Sequence, residues 1–338
     1  MVTIIHSLSR ARSAWNELRD SPRRYRGFRA AFFSILLSAA ASGLVACSGN
    51  DSAEAPPASE DERIIISGAS GQLGTLVVDE LIRLGVDPAR LILVSRTPEE
   101  LSAYAQLGAS TRFGDFTQSE SLAAAYEGGD RMLLISINGG TEDRPGLHNN
   151  AIVAAREAGV RHIAYTSSVD VGNMAEGAVS ATEHRRTEEY LMESGVAWTM
   201  LRHQLYADGL VGQAARMIAE GQAVVQPDEV PTAFVTRLDC ARAAAAVLAT
   251  PGHEGRIYDI TGPSAVLRRD IALMASEITE RPIDLIDGPG GVPQVSGTMS
   301  GFVAFDRTSS DVETLTGSAA MGVRELLAAN RDALLGAR

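Results

Sequence analysis

Three glycines spaced three residues apart, Gly68, Gly71 and Gly74, directly follow the apolar run Ile64–Ser67. They lead into residues 73–84, where apolar side chains at 73, 76, 77, 81 and 84 have helical spacing. A strand, a glycine turn and a helix in that order present the free N–H groups of a helix amino terminus beside bare backbone. That arrangement suits the pyrophosphate of a dinucleotide. Its residues here are Gly68, Ser70, Gly71, Gln72, Leu73 and Gly74. A glycine triplet alone is weak evidence, and the flanking strand and helix are the context it requires. After the next strand candidate, Leu91–Ser95, folds that select the unphosphorylated ribose carry Asp or Glu, whereas this chain has Ser95-Arg96. An arginine there accommodates a 2′-phosphate, so the expected cofactor is NADP(H); a solvated arginine ahead of a helix is the alternative.

These residues need a scaffold to hold them. Further strands are predicted at Ser110–Phe113, 132–137, 162–166 and 197–201, with helices near 119–127, 148–158 and 182–194. Thr97-Pro98-Glu99-Glu100 combines a cap residue, a proline and a glutamate, and predicts another helix start. Alternating strands and helices imply right-handed crossovers, and so an α/β fold of the Rossmann type, a doubly wound parallel sheet covered on both faces. Beyond residue 201 the pattern loosens, with helices near 208–220, 239–249, 268–279 and 319–334 and strands near 233–236 and 256–260. This smaller C-terminal region is expected to cap the carboxyl edge of the sheet, where open α/β folds bind ligands.

Composition removes several function classes. All 30 basic residues are arginine, so any mechanism that needs a lysine is excluded. With only Cys47 and Cys240, neither a disulfide framework nor a cysteine-rich metal site is expected, and Cys240, before an alanine run, reads as a small buried hydrophobe. Residues 1–46 carry seven arginines against Glu17 and Asp20, while the remainder has 23 basic and 40 acidic groups, a net of −17. An acidic body of that kind repels phosphate backbones and argues against nucleic acid as a partner.

The Gly-x-x-Gly-x-x-Gly spacing makes a resemblance specific. Residues 63–338 resemble the atypical short-chain dehydrogenase/reductases, within them the NmrA-like proteins, and most closely the type-2 bacterial NAD(P)H:quinone oxidoreductases. Besides the turn, the similarity is carried by Phe113-Gly114-Asp115-Phe116, Leu133-Leu134-Ile135-Ser136, His162-Ile163-Ala164-Tyr165-Thr166-Ser167 and Thr182-Glu183-His184 with Thr187-Glu188. The resemblance implies an NADP(H)-dependent oxidoreductase that reduces quinones or similar conjugated carbonyls by direct hydride transfer. A non-enzymatic NADP-binding sensor, as some NmrA-like proteins are, is the alternative.

The resemblance also assigns positions. Asp115 and Phe116 would border the adenine, or simply form a surface turn. Ser136, Ile137, Asn138, Thr166 and Ser167 would lie by the nicotinamide, with loop-start capping as the alternative. His184 falls where classical members of the superfamily carry the lysine of their Tyr-x-x-x-Lys pair; it could bond the ribose, supply a proton, or be an exposed helical histidine. Tyr206 lies in the family's substrate-facing segment, with a packed tyrosine as the bland reading. His148, opening a helix, is a weaker candidate.

The first sixty residues read as an address. Seven arginines precede residues 30–43, an apolar run of about fourteen residues that is too short to span a membrane but suits a signal h-region. Leu44-Val45-Ala46-Cys47 resembles the lipobox of bacterial lipoproteins, which implies lipidation at Cys47 and a periplasm-facing, lipid-anchored protein of the cell envelope. Arg23-Arg24 also resembles a twin-arginine export signal, although its flanks depart from the usual pattern. Residues 48–62, with Pro56-Pro57 and several Asp, Glu and Ser, form the expected flexible tether before a domain spanning 63–338. Oligomeric state is not legible.

Overall fold

The computed structural model describes residues 61–138, 141–172, 179–227, 229–288 and 305–336, all within the compact unit of residues 56–338. The signal region, the lipobox and all but the last two residues of the tether lie outside the described residues.

Strands β1 (Ile64–Ser67), β2 (Leu91–Ser95) and β4 (Arg131–Leu134) are buried at every position, the mark of a parallel sheet covered on both faces. With β3 (Ser110–Phe113), β5 (His162–Ser168), β6 (Ala197–His203) and β8 (Arg256–Ile260) they form one sheet of order β3-β2-β1-β4-β5-β6-β8. Every neighbouring pair is parallel. The order reverses between β1 and β4, and ligands of doubly wound sheets bind at such a switch point.

Helices cover the sheet unequally. On one face α1 (Gln72–Arg83) packs against the distant helix of residues Arg237–Ala249, whose fully buried Ala241, Ala244 and Ala245 let the two axes come close. Cys240 is buried in this layer, and burial pushes its thiol well above the ordinary range, as for an inert core sulfur. The other face carries α3 (Ser119–Tyr126), α4 (Arg144–Glu157) and α5 (Val179–Glu193), packed on Met132, Tyr165 and Met200 of the sheet. Between β2 and β3 lie only a 3₁₀ turn and a short helix, α2 (Ser102–Gln106).

The C-terminal part builds its own small core. Here α6 (Asp208–Glu220) meets Arg268–Thr279, Val323–Ala329 and Arg331–Gly336 around Leu210, Ala214, Ile271 and Leu327. Beside them β7 (Gln222–Val225) and β9 (Asp284–Asp287) pair as a two-stranded parallel sheet.

Local details depart from the sequence reading. Thr97 makes no cap; a 3₁₀ turn, Pro98–Leu101, comes first, and Thr97 N–H donates instead to Ser95 Oγ at 3.0 Å. Residues 233–236 form no strand but an isolated bridge from Val235 to Tyr206, after which Thr236 caps the next helix by accepting from Asp239 N–H. The single helix expected over 319–334 is two helices separated at Asn330, preceded by an unpredicted helix, Asp311–Thr316.

Candidate active site

The glycine turn has the shape its sequence implies. Gly68 sits at φ +97°, a left-handed conformation that side chains rarely adopt, and its N–H and that of Ala69 both donate to the Val94 carbonyl at 3.0 Å. Gly74 is required by packing: a Cβ there would meet the Gly68 carbonyl oxygen and approach Ala69 Cα at 2.8 Å. Gly71 differs, because its added Cβ would touch only the Gly68 carbonyl oxygen, at 3.3 Å. The space before it is open. No side chain caps α1 at Gly71 and no acidic residue stands in its first turn. The N–H groups of Gln72, Leu73 and Gly74 therefore begin a helix whose positive end is unblocked, the cradle a pyrophosphate needs.

Around this turn the sheet edge is tied together. Ser70 Oγ lies 2.7 Å from Ser95 Oγ, which holds the turn against the end of β2. Arg96 follows, exposed and without a hydrogen bond or ion pair to any described residue. Asp115 Oδ1 accepts from the Thr117 N–H and hydroxyl, each at 2.9 Å, so part of its carboxylate closes its own turn. Phe116 is half-buried and meets the His148 ring edge-on, with centroids 6.2 Å apart. Across the switch point Ile135 backs onto Gly68, and Thr166 Oγ1 accepts from the Ser136 N–H at 2.8 Å while donating to Ser136 Oγ at 3.2 Å. Asn138 is exposed.

Beneath Ser136–Asn138 lies a buried polar network that sequence reasoning missed. Arg144 donates to the Ile137 carbonyl at 2.8 Å, to Glu183 at 3.2 Å and to His184 Nε2 at 3.0 Å. A guanidinium can only donate, so His184 Nε2 accepts and the proton of the neutral ring sits on Nδ1, which donates to the Tyr165 hydroxyl at 2.9 Å. His148 follows the same logic: Nε2 accepts the Ile137 N–H at 3.1 Å, and Nδ1 donates to Thr187 Oγ1 at 3.0 Å. Burial, reinforced by the Arg144 charge, lowers the basicity of both rings, to about 3 at His148 and well below the ordinary histidine value at His184. His184 is thus buried, not exposed, and both its nitrogens are engaged by protein groups.

A second network joins β5, α5 and β6. Arg202 grips Glu188 through two bonds, of 3.0 and 2.7 Å, and Ser167 Oγ donates to the same carboxylate at 2.6 Å. Ser167 is therefore turned into the α5 layer by a charged partner. The legible signal was Arg202 itself, a charge inside an apolar strand, which demands a buried counter-ion. Tyr206 bonds His203 Nδ1 at 3.1 Å, and the Arg237 guanidinium lies 4.6 Å over its ring. Burial raises the Tyr206 hydroxyl far above the ordinary phenol range. His203 Nε2 and both carboxyl oxygens of Asp170 are buried without a hydrogen bond to any described residue.

Comparison with known proteins agrees with this geometry. Residues 68–251, more than half of the chain, match the profile of the NAD(P)H-binding family. Quinone oxidoreductase 2 of Escherichia coli is 34% identical over 218 residues, covering 64% of this chain and 74% of that protein. The crystal structure of the Escherichia coli NADPH-dependent quinone oxidoreductase with NADPH superposes with a TM-score of 0.69 at 28% identity, over 79% of this chain and 99% of that one. Citrobacter triphenylmethane reductase with NADP(H) gives a TM-score of 0.68 at 29% identity, over 78% and 98%. The chain belongs to the NAD(P)H-binding, NmrA-like family of atypical dehydrogenase/reductases.

Proposed function

We propose that this NADP(H)-binding oxidoreductase reduces quinones or related conjugated carbonyls, accepting hydride directly from NADPH at the carboxyl edge of its sheet. The observation that carries the cofactor half is the open Gly71 cradle in front of α1. The substrate class is supported by the relatives, whose names describe reductases of a quinone and of a triphenylmethane.

NADPH, when bound, supplies the hydride. The chain's task is to hold two planar groups together and to exclude water, and such positioning alone contributes much of a rate. In this reading the first-turn N–H groups take the pyrophosphate, Arg96 the 2′-phosphate, Asp115 and Phe116 border the adenine, and Ser136–Asn138 with Thr166 line the nicotinamide, while Ser167, turned to Glu188, holds the end of β5 in place. His184 and Tyr206 act as positioning residues, His184 by orienting Arg144 and Tyr165 beneath that edge. The test is direct: NADPH absorbance should fall when a substituted 1,4-benzoquinone is added to purified protein. Protein that binds NADPH yet leaves it unoxidised by a panel of quinones rules the reading out.

Arg96 makes the cofactor choice testable. With a free guanidinium beyond β2 and no carboxylate beside it, NADPH should bind at least roughly tenfold more tightly than NADH, a difference of about 1.4 kcal/mol. Arg96→Ala should narrow the gap by weakening NADPH while NADH is little changed. Equal affinities in the unmutated protein would refute the assignment.

We further propose that the protein is anchored by lipid at Cys47 to the envelope membrane and faces the periplasm. Support comes from the order of arginines, apolar run and lipobox in residues 10–47. Cys47→Ala should move the protein from the membrane fraction to the soluble fraction. One acyl chain binds only marginally, so the expected multiple acylation matters. Membrane partition that is unchanged in the variant counts against the anchor.

A further inference from the structure

The carboxyl ends of β5 and β6 leave an acid without a partner. Ser168, the last residue of β5, pairs with His203, the last of β6, and Asp170 follows two residues later in the 3₁₀ turn Val169–Gly172, against which α5 packs. Asp170 is only 7% exposed, and among the described residues neither of its carboxyl oxygens makes a hydrogen bond. An ionised carboxylate in that state is costly, because nothing replaces its lost water.

The two guanidiniums that act on Asp170 do not resolve this. Arg202 commits its fork to Glu188, and Arg144 commits three donors to Ile137, Glu183 and His184. The Ser168 hydroxyl and Asp170's own N–H favour ionisation but make no bond of good geometry, and burial outweighs them, raising the carboxyl above its ordinary range. A native fold leaves such a group unpaired for a reason, and catalysis is one. The position fits that reason: Asp170 follows directly on the strand of Thr166 and Ser167, at the sheet edge where doubly wound folds bring substrate to the nicotinamide.

We propose that Asp170 is the acid that gives its proton to the substrate oxygen reduced at this edge. This step rests on the quinone-reductase reading above. The acceptor gains two electrons with the hydride, and NADPH becomes NADP⁺. The carbonyl oxygen that gains electron density forms a bond to the Asp170 proton as the carboxyl O–H bond breaks. Water returns one proton to Asp170 per turnover.

Loss of that proton defines a pH limb. Two charged groups act on Asp170, Arg144 from α4 and Arg202 from β6; Glu183 and His184 of α5 are held by Arg144, Glu188 of α5 by Arg202, and His203 ends β6 opposite Ser168. Burial lowers the basicity of both His184 and His203, so each ring loses its proton below the ordinary histidine range. Hydride transfer should fall with a slope of one proton as pH rises through the Asp170 value.

Asp170→Asn tests this, since the amide has nearly the same shape and no proton to give. The difference infrared spectrum of unmutated protein minus variant should show the carbonyl band of a protonated acid, shifted in D₂O. Stopped-flow oxidation of NADPH by a 1,4-benzoquinone should slow by about 10²- to 10⁴-fold in the variant, with NADPH affinity unchanged and the high-pH decline gone. Asp170→Glu should recover part of the rate and of the pH limb, which a purely structural role would not produce. Absence of the acid band, or an active unmutated protein beside an equally active Asp170→Asn, overturns the proposal alone. Unmutated protein that binds NADPH but reduces no quinone overturns the substrate reading, and this step with it.

Discussion

Gly71→Leu should abolish NADPH binding while the protein stays folded. Within the chain, a Cβ at Gly71 touches only the Gly68 carbonyl oxygen at 3.3 Å, so packing tolerates a side chain there. The rest of a leucine must project into the open space before α1, where the pyrophosphate is expected. Losing two charge-assisted bonds from the first-turn N–H groups costs roughly 4 kcal/mol, about a thousandfold in affinity. Gly74→Ala is the complementary variant. Its Cβ would be forced onto the Gly68 carbonyl oxygen and to within 2.8 Å of Ala69, backbone atoms that cannot yield, so it should lose the fold around the turn. NADPH titration beside near-ultraviolet circular dichroism separates the two. Native affinity in folded Gly71→Leu would place the dinucleotide elsewhere.

Mild acid should unfold this domain at a pH where most domains are still stable. His148, His162, His184 and His203 are all buried. Burial first, with Arg144 beside His148 and His184 and Arg131 beside His162, lowers their folded-state basicity to about 3 at His148 and His203, to about 4 at His162, and well below the ordinary value at His184. In the unfolded chain they titrate near 6.5. A lowered folded value means that the unfolded state binds more protons below about 6.5, so stability is full above that pH and is lost progressively on the way down towards 3 or 4. Each ring contributes up to about 1.4 kcal/mol per pH unit, so four rings approach 5 to 6 kcal/mol per unit. Whole domains are stable by only about 5–15 kcal/mol. Asp170 and Glu229 act in the opposite direction, since their folded values are raised, but they are two groups against the four rings together with His253 and Glu254, whose folded values are also lowered. Urea midpoints measured at pH 7.5, 6.5 and 5.5 should drop steeply over the last interval. A midpoint unchanged to pH 5 would mean that the rings accept protons without leaving the core.

How far each feature could be read in advance follows from the distance over which it is encoded. The first two strands and the glycine turn were legible because each is specified within about seven consecutive residues, by continuous burial and by glycines whose need is local. The pairing of Gln222–Val225 with Asp284–Asp287 was not, since two four-residue strands some sixty residues apart carry no periodicity of their own. The same holds for the break at Asn330, where apolar residues continue the helical spacing across a point at which the chain turns.

Sequence alone therefore determined the parallel α/β class, the dinucleotide turn, the absence of lysine chemistry, and the basic, apolar and cysteine order of residues 10–47. All of these are properties of residue type and near-neighbour spacing. Only the tertiary structure decided the state of the polar side chains at the sheet edge. Whether His184 is exposed or locked between Arg144 and Tyr165, whether Ser167 faces a ligand layer or Glu188, and whether Asp170 has a partner depend on groups brought together from β5, β6, α4 and α5. Burial and partner choice set the charge of such groups, and both are fixed by packing across the sheet, which no local spacing encodes.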